Sequence, residues 1–192
     1  MAGALDNVVA EIRACRACAL PHEPRPVVWV HPRARILIAG QAPGRIVHET
    51  GIPWNDRSGD RLRAWMGMDR EAFYARENIA VAAMGFCFPG TVKGADLPPR
   101  RECAPKWRPK LLPLMKQVRL TLLVGGYAHK YHLGDTAKGS LTETVAAWRD
   151  YPEDVLPLPH PSWRNTGWLK RHPWFETELV PELRRRVSLA LR

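Results

Sequence analysis

The segment His160-Pro161-Ser162-Trp163-Arg164-Asn165 gathers an imidazole, a hydroxyl, a large aromatic, a guanidinium and an amide within six residues. Standing together at the end of an apolar run, they offer hydrogen-bond donors, a stacking face and a cation to one ligand. A second candidate is Gly40-Gln41-Ala42-Pro43-Gly44, followed by Thr50-Gly51-Ile52-Pro53-Trp54-Asn55-Asp56-Arg57-Ser58-Gly59. Glycine and proline at a strand's end let the backbone approach a ligand closely. No Gly-Lys-Ser/Thr follows at the required spacing, so this is not a P-loop. The third constellation is cysteine. Cys15 and Cys18 form a C-x-x-C, Cys87 lies far downstream, and Cys103 precedes Ala104-Pro105. Two of four cysteines in a C-x-x-C, all beside loops, point to a shared metal centre. Zinc sites often use two short knuckles, while a four-thiolate iron–sulfur cluster accepts wider spacing.

The elements that must position these groups read as alternating strands and helices. Near-continuous apolar runs at Arg35–Gly40, Asn78–Met84 and Leu120–Gly125 are the pattern of strands covered on both faces. Asp154–Pro159 reads as a fourth, confined to an edge by Pro157 and Pro159. Leu5, Val8, Val9 and Ile12 predict an N-terminal amphipathic helix ending near Cys15. Leu62, Trp65 and Met66 predict another behind Ser58 as N-cap, and Ser140 with Glu143 makes a capping box. Leu111–Val118 also reads as helical, and Leu179, Val180, Leu183 and Val187 line a C-terminal helix. The expected architecture is α/β, a parallel sheet with right-handed crossovers. Ligands then bind beyond the carboxyl ends of the strands, where all three constellations except the C-x-x-C fall.

Composition bounds the partner. With 192 residues the chain is expected to form one domain, residues 1–192. Its 29 Lys+Arg against 19 Asp+Glu leave a net charge of +10, which calls for a polyanion. No apolar run approaches the roughly 20 residues needed to cross a bilayer. Met1 to Arg16 lacks the regions of a signal peptide, so a cytoplasmic location and reduced or metal-bound cysteines are expected.

In order, these pieces resemble the uracil-DNA glycosylase superfamily, and most closely its iron–sulfur members, families four and five. Gly40-Gln41-Ala42-Pro43-Gly44 is similar to the first superfamily motif, Thr50-Gly51-Ile52-Pro53-Trp54 to the element that follows it, and His160-Pro161-Ser162 to the second motif. Cys15, Cys18, Cys87 and Cys103 match the cluster signature. The resemblance implies a three-layer α/β/α sandwich around a four-stranded parallel sheet. It implies a DNA glycosylase of base-excision repair, a monomer that removes a deaminated base, and a 4Fe–4S cluster as cofactor.

The roles that the resemblance implies can be assigned residue by residue. Trp54 would stack on the flipped base, and His160 would donate to the base carbonyl, with backbone N–H groups of Gln41 and Ala42 assisting. Pro43, Gly44 and Ser162 would grip flanking phosphates. Trp163 or Arg164 would fill the gap left by the base. Ala42 stands where the best-known family has an Asp. Asp56 is therefore the candidate to orient water and stabilise the cationic sugar, its competing role being to cap the next helix. No amide occupies Val81–Gly85, where family members usually carry an Asn. Uracil would then be read by backbone groups, Asn55 or Asn165, or the pocket would also admit hypoxanthine or xanthine. Two other readings compete: a catalytically silent binder of lesion-containing or single-stranded DNA, and a zinc-stabilised nucleic-acid module.

Overall fold

The computed structural model describes residues 3–192. Its backbone runs α1 (Ala4–Arg13), β1 (Ile36–Ala39), α2 (Arg45–Thr50), α3 (Arg57–Met66), α4 (Arg70–Tyr74), β2 (Ile79–Val81), β3 (Thr91–Val92) and β4 (Ala95–Asp96). It continues through α5 (Cys103–Leu111), β5 (Leu120–Val124), α6 (Gly126–Leu133), α7 (Leu141–Ala146), β6 (Val155–Leu158), α8 (Thr166–Arg171) and α9 (Val180–Leu191). The four predicted strands form one sheet in the order β2-β1-β5-β6. All pairings are parallel, with Ile36 opposite both Ile79 and Leu120, and Thr121 opposite Val155.

Alternation along the strands splits the core into two. Ile36, Ile38, Leu122, Val124, Leu156 and Leu158 pack on one face against Leu62 and Trp65 of α3, Phe175, and Leu183 and Val187 of α9. Leu37, Ala80 and Ala82 face the other way, onto Leu5 and Ile12 of α1 and Trp107 and Leu111 of α5. The result is a three-layer α/β/α sandwich. Because β2 and β6 are the edges, Pro157 sits where a missing N–H costs no interior bond. The open edge of β2 is covered by Trp29, which pairs antiparallel with Val81.

α1 ends at Arg13 with Ala14 as its C-cap, near Cys15 as expected. Two other helix boundaries differ from the sequence expectation. The cap of α3 is Asp56, not Ser58: its Oδ1 accepts the Gly59 N–H at 2.9 Å. The helix placed at Leu111–Val118 lies earlier, as α5, and only a 3-10 turn, Leu112–Leu114, continues it. Pro109 is tolerated inside α5 because tertiary contacts hold the segment: Trp107, Arg108 and Leu111 are all buried. The Ser140 cap forms as expected, its side chain accepting from the Glu143 N–H at 3.1 Å. Among the described residues, no helix is long and apolar enough to cross a membrane.

Candidate active site

The chain leaves β1 toward the β2 edge and then returns past β1 to β5, so strand order reverses between β1 and β5. Such a switch point leaves a crevice beyond the carboxyl ends of the strands. A cavity of about 510 Å³ occupies that place. Its walls are the loop after β1 (Gly40 to Gly44), Pro53, Trp54, Asp56 and Arg57, Ala83 beyond β2, residues Gly94 to Leu97, and His160 with Ser162 to Arg164. The two loops singled out in the sequence therefore share one cavity.

The first loop is tied to the end of β2 through its carbonyls: Met84 N–H donates to Gly40 O at 2.8 Å, and Gly85 N–H to Gln41 O at 2.9 Å. Among the described residues, the N–H groups of Gln41 and Ala42 have no acceptor. Two unengaged donors at a cavity wall suit an anion or a base carbonyl. The Gln41 side chain donates to Leu97 O at 3.3 Å.

Trp54 carries backbone strain, with a φ of 57° that a bulky residue rarely adopts. Its surroundings hold it there. Arg63, largely buried, donates to Trp54 O at 3.2 Å, and the Tyr74 hydroxyl donates to Pro53 O at 3.0 Å. Two glycines make room: a Cβ on Gly59 would lie 1.7 Å from Trp54 O, and one on Gly40 3.1 Å from the indole. The indole lies 5.7 Å from the His160 ring, centroid to centroid, tilted by 35°.

His160 has a defined tautomer. Its Nδ1 accepts the Ser162 N–H at 3.2 Å, so a neutral ring carries its proton on Nε2, which has no partner among the described residues. Burial lowers the His160 pKa, the Asp56 carboxylate pulling the other way. The ring is thus a neutral donor at neutral pH. Arg61 of α3 fixes this loop by donating to Ser162 O at 3.0 Å, and Asn165 Nδ2 donates to His160 O at 2.7 Å. The Ser162 hydroxyl accepts the Arg164 N–H at 3.3 Å, leaving its own proton free. Trp163 is 67% exposed and projects from the rim. Arg164 donates to Gly94 O and so closes one side of the mouth.

The two asparagines proposed as base readers are not part of the cavity wall. Asn55 accepts from Arg70 Nη2 at 2.7 Å, and Asn165 supports the His160 loop from behind. One end of each amide is engaged in a local tie that spacing does not reveal. Conversely, Asp96, Arg57 and Arg61 were not foreseen. Asp96 sits on a hairpin of two-residue strands turning at Lys93 and Gly94, both with positive φ (49° and 74°). Gly94 was its one visible signal, since such turns favour glycine.

Cys15, Cys18, Cys87 and Cys103 line a second cavity, together with Ile12, Phe86 and Trp107. All four are free thiols. The Phe86 N–H donates to Cys103 Sγ at 3.3 Å. Burial, with the neighbouring Cys103, pushes the Cys87 thiol up to about 12, and burial takes Cys103 to about 11 against the pull of that N–H. Among the described residues, no three His, Cys, Asp or Glu side chains come close enough to hold a single metal ion.

The family model described as the uracil DNA glycosylase superfamily matches residues 28–184. The match spans the whole sheet, both loops of the first cavity, and Cys87 and Cys103. With that coverage, on a fold whose switch-point crevice joins the two matching motifs, the chain belongs to the uracil DNA glycosylase superfamily.

Proposed function

We propose that the protein is a monofunctional DNA glycosylase of base-excision repair, which extrudes a deaminated base and hydrolyses its N-glycosidic bond. The observation that carries this reading is His160: a neutral imidazole, its proton on Nε2, facing a cavity with a strained Trp54 beside it. An extruded base stacks on Trp54, and its carbonyl accepts from His160 Nε2–H and the free N–H groups of Gln41 and Ala42. As the bond to C1′ breaks, those donors stabilise charge on the leaving base, and the Asp56 carboxylate stabilises the cationic sugar. Capping α3 does not remove Asp56 from this task; the bond to Gly59 holds the carboxylate in place. With no side-chain amide beyond β2 and neither Asn in the wall, the base is read by donors to its carbonyl. Uracil, hypoxanthine and xanthine all present one.

DNA is held from the rim. Gly44, the Ser162 hydroxyl, Arg57 and Arg164 face flanking phosphates, and exposed Trp163 is the wedge for the gap in the duplex. A 4Fe–4S cluster would be held by Cys15, Cys18, Cys87 and Cys103. That all four cysteines line one largely apolar cavity supports this assignment, since a four-thiolate cluster accepts their irregular spacing. When bound, the cluster supplies a structural tie between the segment after α1, the end of β2 and α5.

Oligonucleotides bearing uracil, hypoxanthine or xanthine, treated with the protein and then with alkali, test the reading. Strand scission is expected with the wild type, and His160→Ala should slow it by about 10²–10³-fold with DNA binding retained. Tight binding of these DNAs without scission would instead identify a silent lesion binder.

A further inference from the structure

The hairpin of β3 and β4 brings a second carboxylate to the cavity. Asp96 lines it together with Asp56, His160 and Arg164. The hairpin is fastened on both sides: Gln41 Nε2 donates to Leu97 O at 3.3 Å, and Arg164 donates to Gly94 O. Leu97 N–H donates to Gly90 O at 2.9 Å and closes its base. Asp96 Oδ2 packs over the first loop, where a Cβ on Gly44 would lie 3.4 Å from it. Among the described residues, nothing donates to the Asp96 carboxylate, whereas one Asp56 oxygen is engaged by Gly59. An exposed carboxylate with its lone pairs free, carried into the cavity wall by a fastened hairpin, is suited to hold a water. Ala42, on the neighbouring loop, has no group for this.

We infer that Asp96 binds and deprotonates the water that attacks C1′, an assignment that rests on the glycosylase reading above. The water oxygen forms the new bond to C1′ while the C1′–N bond breaks and its electron pair leaves with the base. The water's proton passes to Asp96, which returns it to the departing base through solvent. Asp56 retains the electrostatic task beside His160. Burial raises the Asp96 carboxyl above its ordinary value, Arg164 opposing and Asp56 adding to the rise. A carboxylate shifted in that direction is the better base, and it must be ionised to act. Excision should therefore rise with pH through a limb displaced upward from that of an ordinary aspartate.

Single-turnover excision, measured across pH for the wild type, Asp96→Asn, Asp96→Ala and the exposed hairpin control Val92→Ala, tests this. Asp96→Asn should lower the maximal rate about 10²–10⁴-fold and abolish the acid limb, with DNA affinity and melting temperature unchanged. Formate should restore part of the rate to Asp96→Ala, and Val92→Ala should match the wild type. Wild-type rates in Asp96→Asn would overturn the assignment. So would a loss explained wholly by weaker DNA binding, or a formate-insensitive loss accompanied by a lowered melting temperature. A wild type that excises no deaminated base would remove the glycosylase reading itself, before any variant is compared.

Discussion

Trp54 shows how one residue's chemistry depends on several that do none. A left-handed backbone at a bulky residue costs roughly 1–2 kcal/mol, and its persistence requires surroundings that over-determine it. Arg63 on its carbonyl, Tyr74 on the carbonyl before it, and two glycines against its backbone and ring are those surroundings. Gly59 is the most demanding of them. Its absent Cβ would stand 1.7 Å from a backbone oxygen, which cannot swing aside as a side-chain tip could. Gly59→Ala should therefore destabilise the fold by about 3 kcal/mol, at the upper end of overpacking costs. It should also depress excision by moving the indole. Urea denaturation and the alkali-scission assay check both effects; a variant with wild-type stability and rate would mean that Trp54 is not held by this contact.

The elements are fixed by contacts of the same kind, many made by arginine. Arg25 caps the carbonyl end of α2 at His48 O and Glu49 O, and Arg184 reaches Ala64 O and Trp65 O at the end of α3. Arg108, fully buried, donates to Ala82 O and Ala83 O beyond β2. Arg186 joins α9 to the start of β6 through Glu153 O at 3.0 Å and Val155 O at 3.2 Å, and its charge is met by Glu182. Arg186→Ala leaves those carbonyls and part of that carboxylate without partners. A loss of about 3 kcal/mol in urea denaturation is expected, with the single-turnover rate unchanged because α9 contributes nothing to the cavity. These ties explain what was legible in the sequence. Strands buried on both faces, such as Leu120–Val124, announce themselves by apolar continuity, and the loops at their ends by glycine, proline and histidine. A hairpin of two-residue strands has no periodicity to read, so Asp96 stayed hidden. An Asn tied to a neighbouring group reads the same in sequence as one that faces a ligand, so the local bonds of Asn55 and Asn165 could not be read from spacing.

Taken over the whole molecule, the cations behind the net charge of +10 include two contrasting sets. Arg63, Arg108 and Arg186 are buried and serve the fold, while Arg57 and Arg164 stand exposed at the cavity. Retaining buried cations has a consequence for the histidines beside them. Arg108 Nη2 donates to His132 Nε2 at 2.6 Å, which requires a neutral ring. Burial, with the Arg108 charge adding, drives His132 down to about 4. His129 is also lowered by burial; its Nε2–H donates to Leu123 O and Leu158 O, bridging the ends of β5 and β6. His160 shifts the same way. An unfolded chain protonates these rings near pH 6.5, whereas the folded chain resists until lower pH. Below about 6.5 the unfolded state thus binds more protons, and stability falls with pH, by up to about 1.4 kcal/mol per pH unit for each ring. For His132 the fall runs down to about pH 4, where the folded ring titrates too. His132→Gln keeps an acceptor for Arg108 but cannot titrate, so it isolates this contribution. Urea denaturation at intervals from pH 7 to 4 should show a slope reduced by nearly one proton in the variant. An unchanged slope would mean that His132 protonates as readily in the fold as in water, and that Arg108 does not hold it neutral.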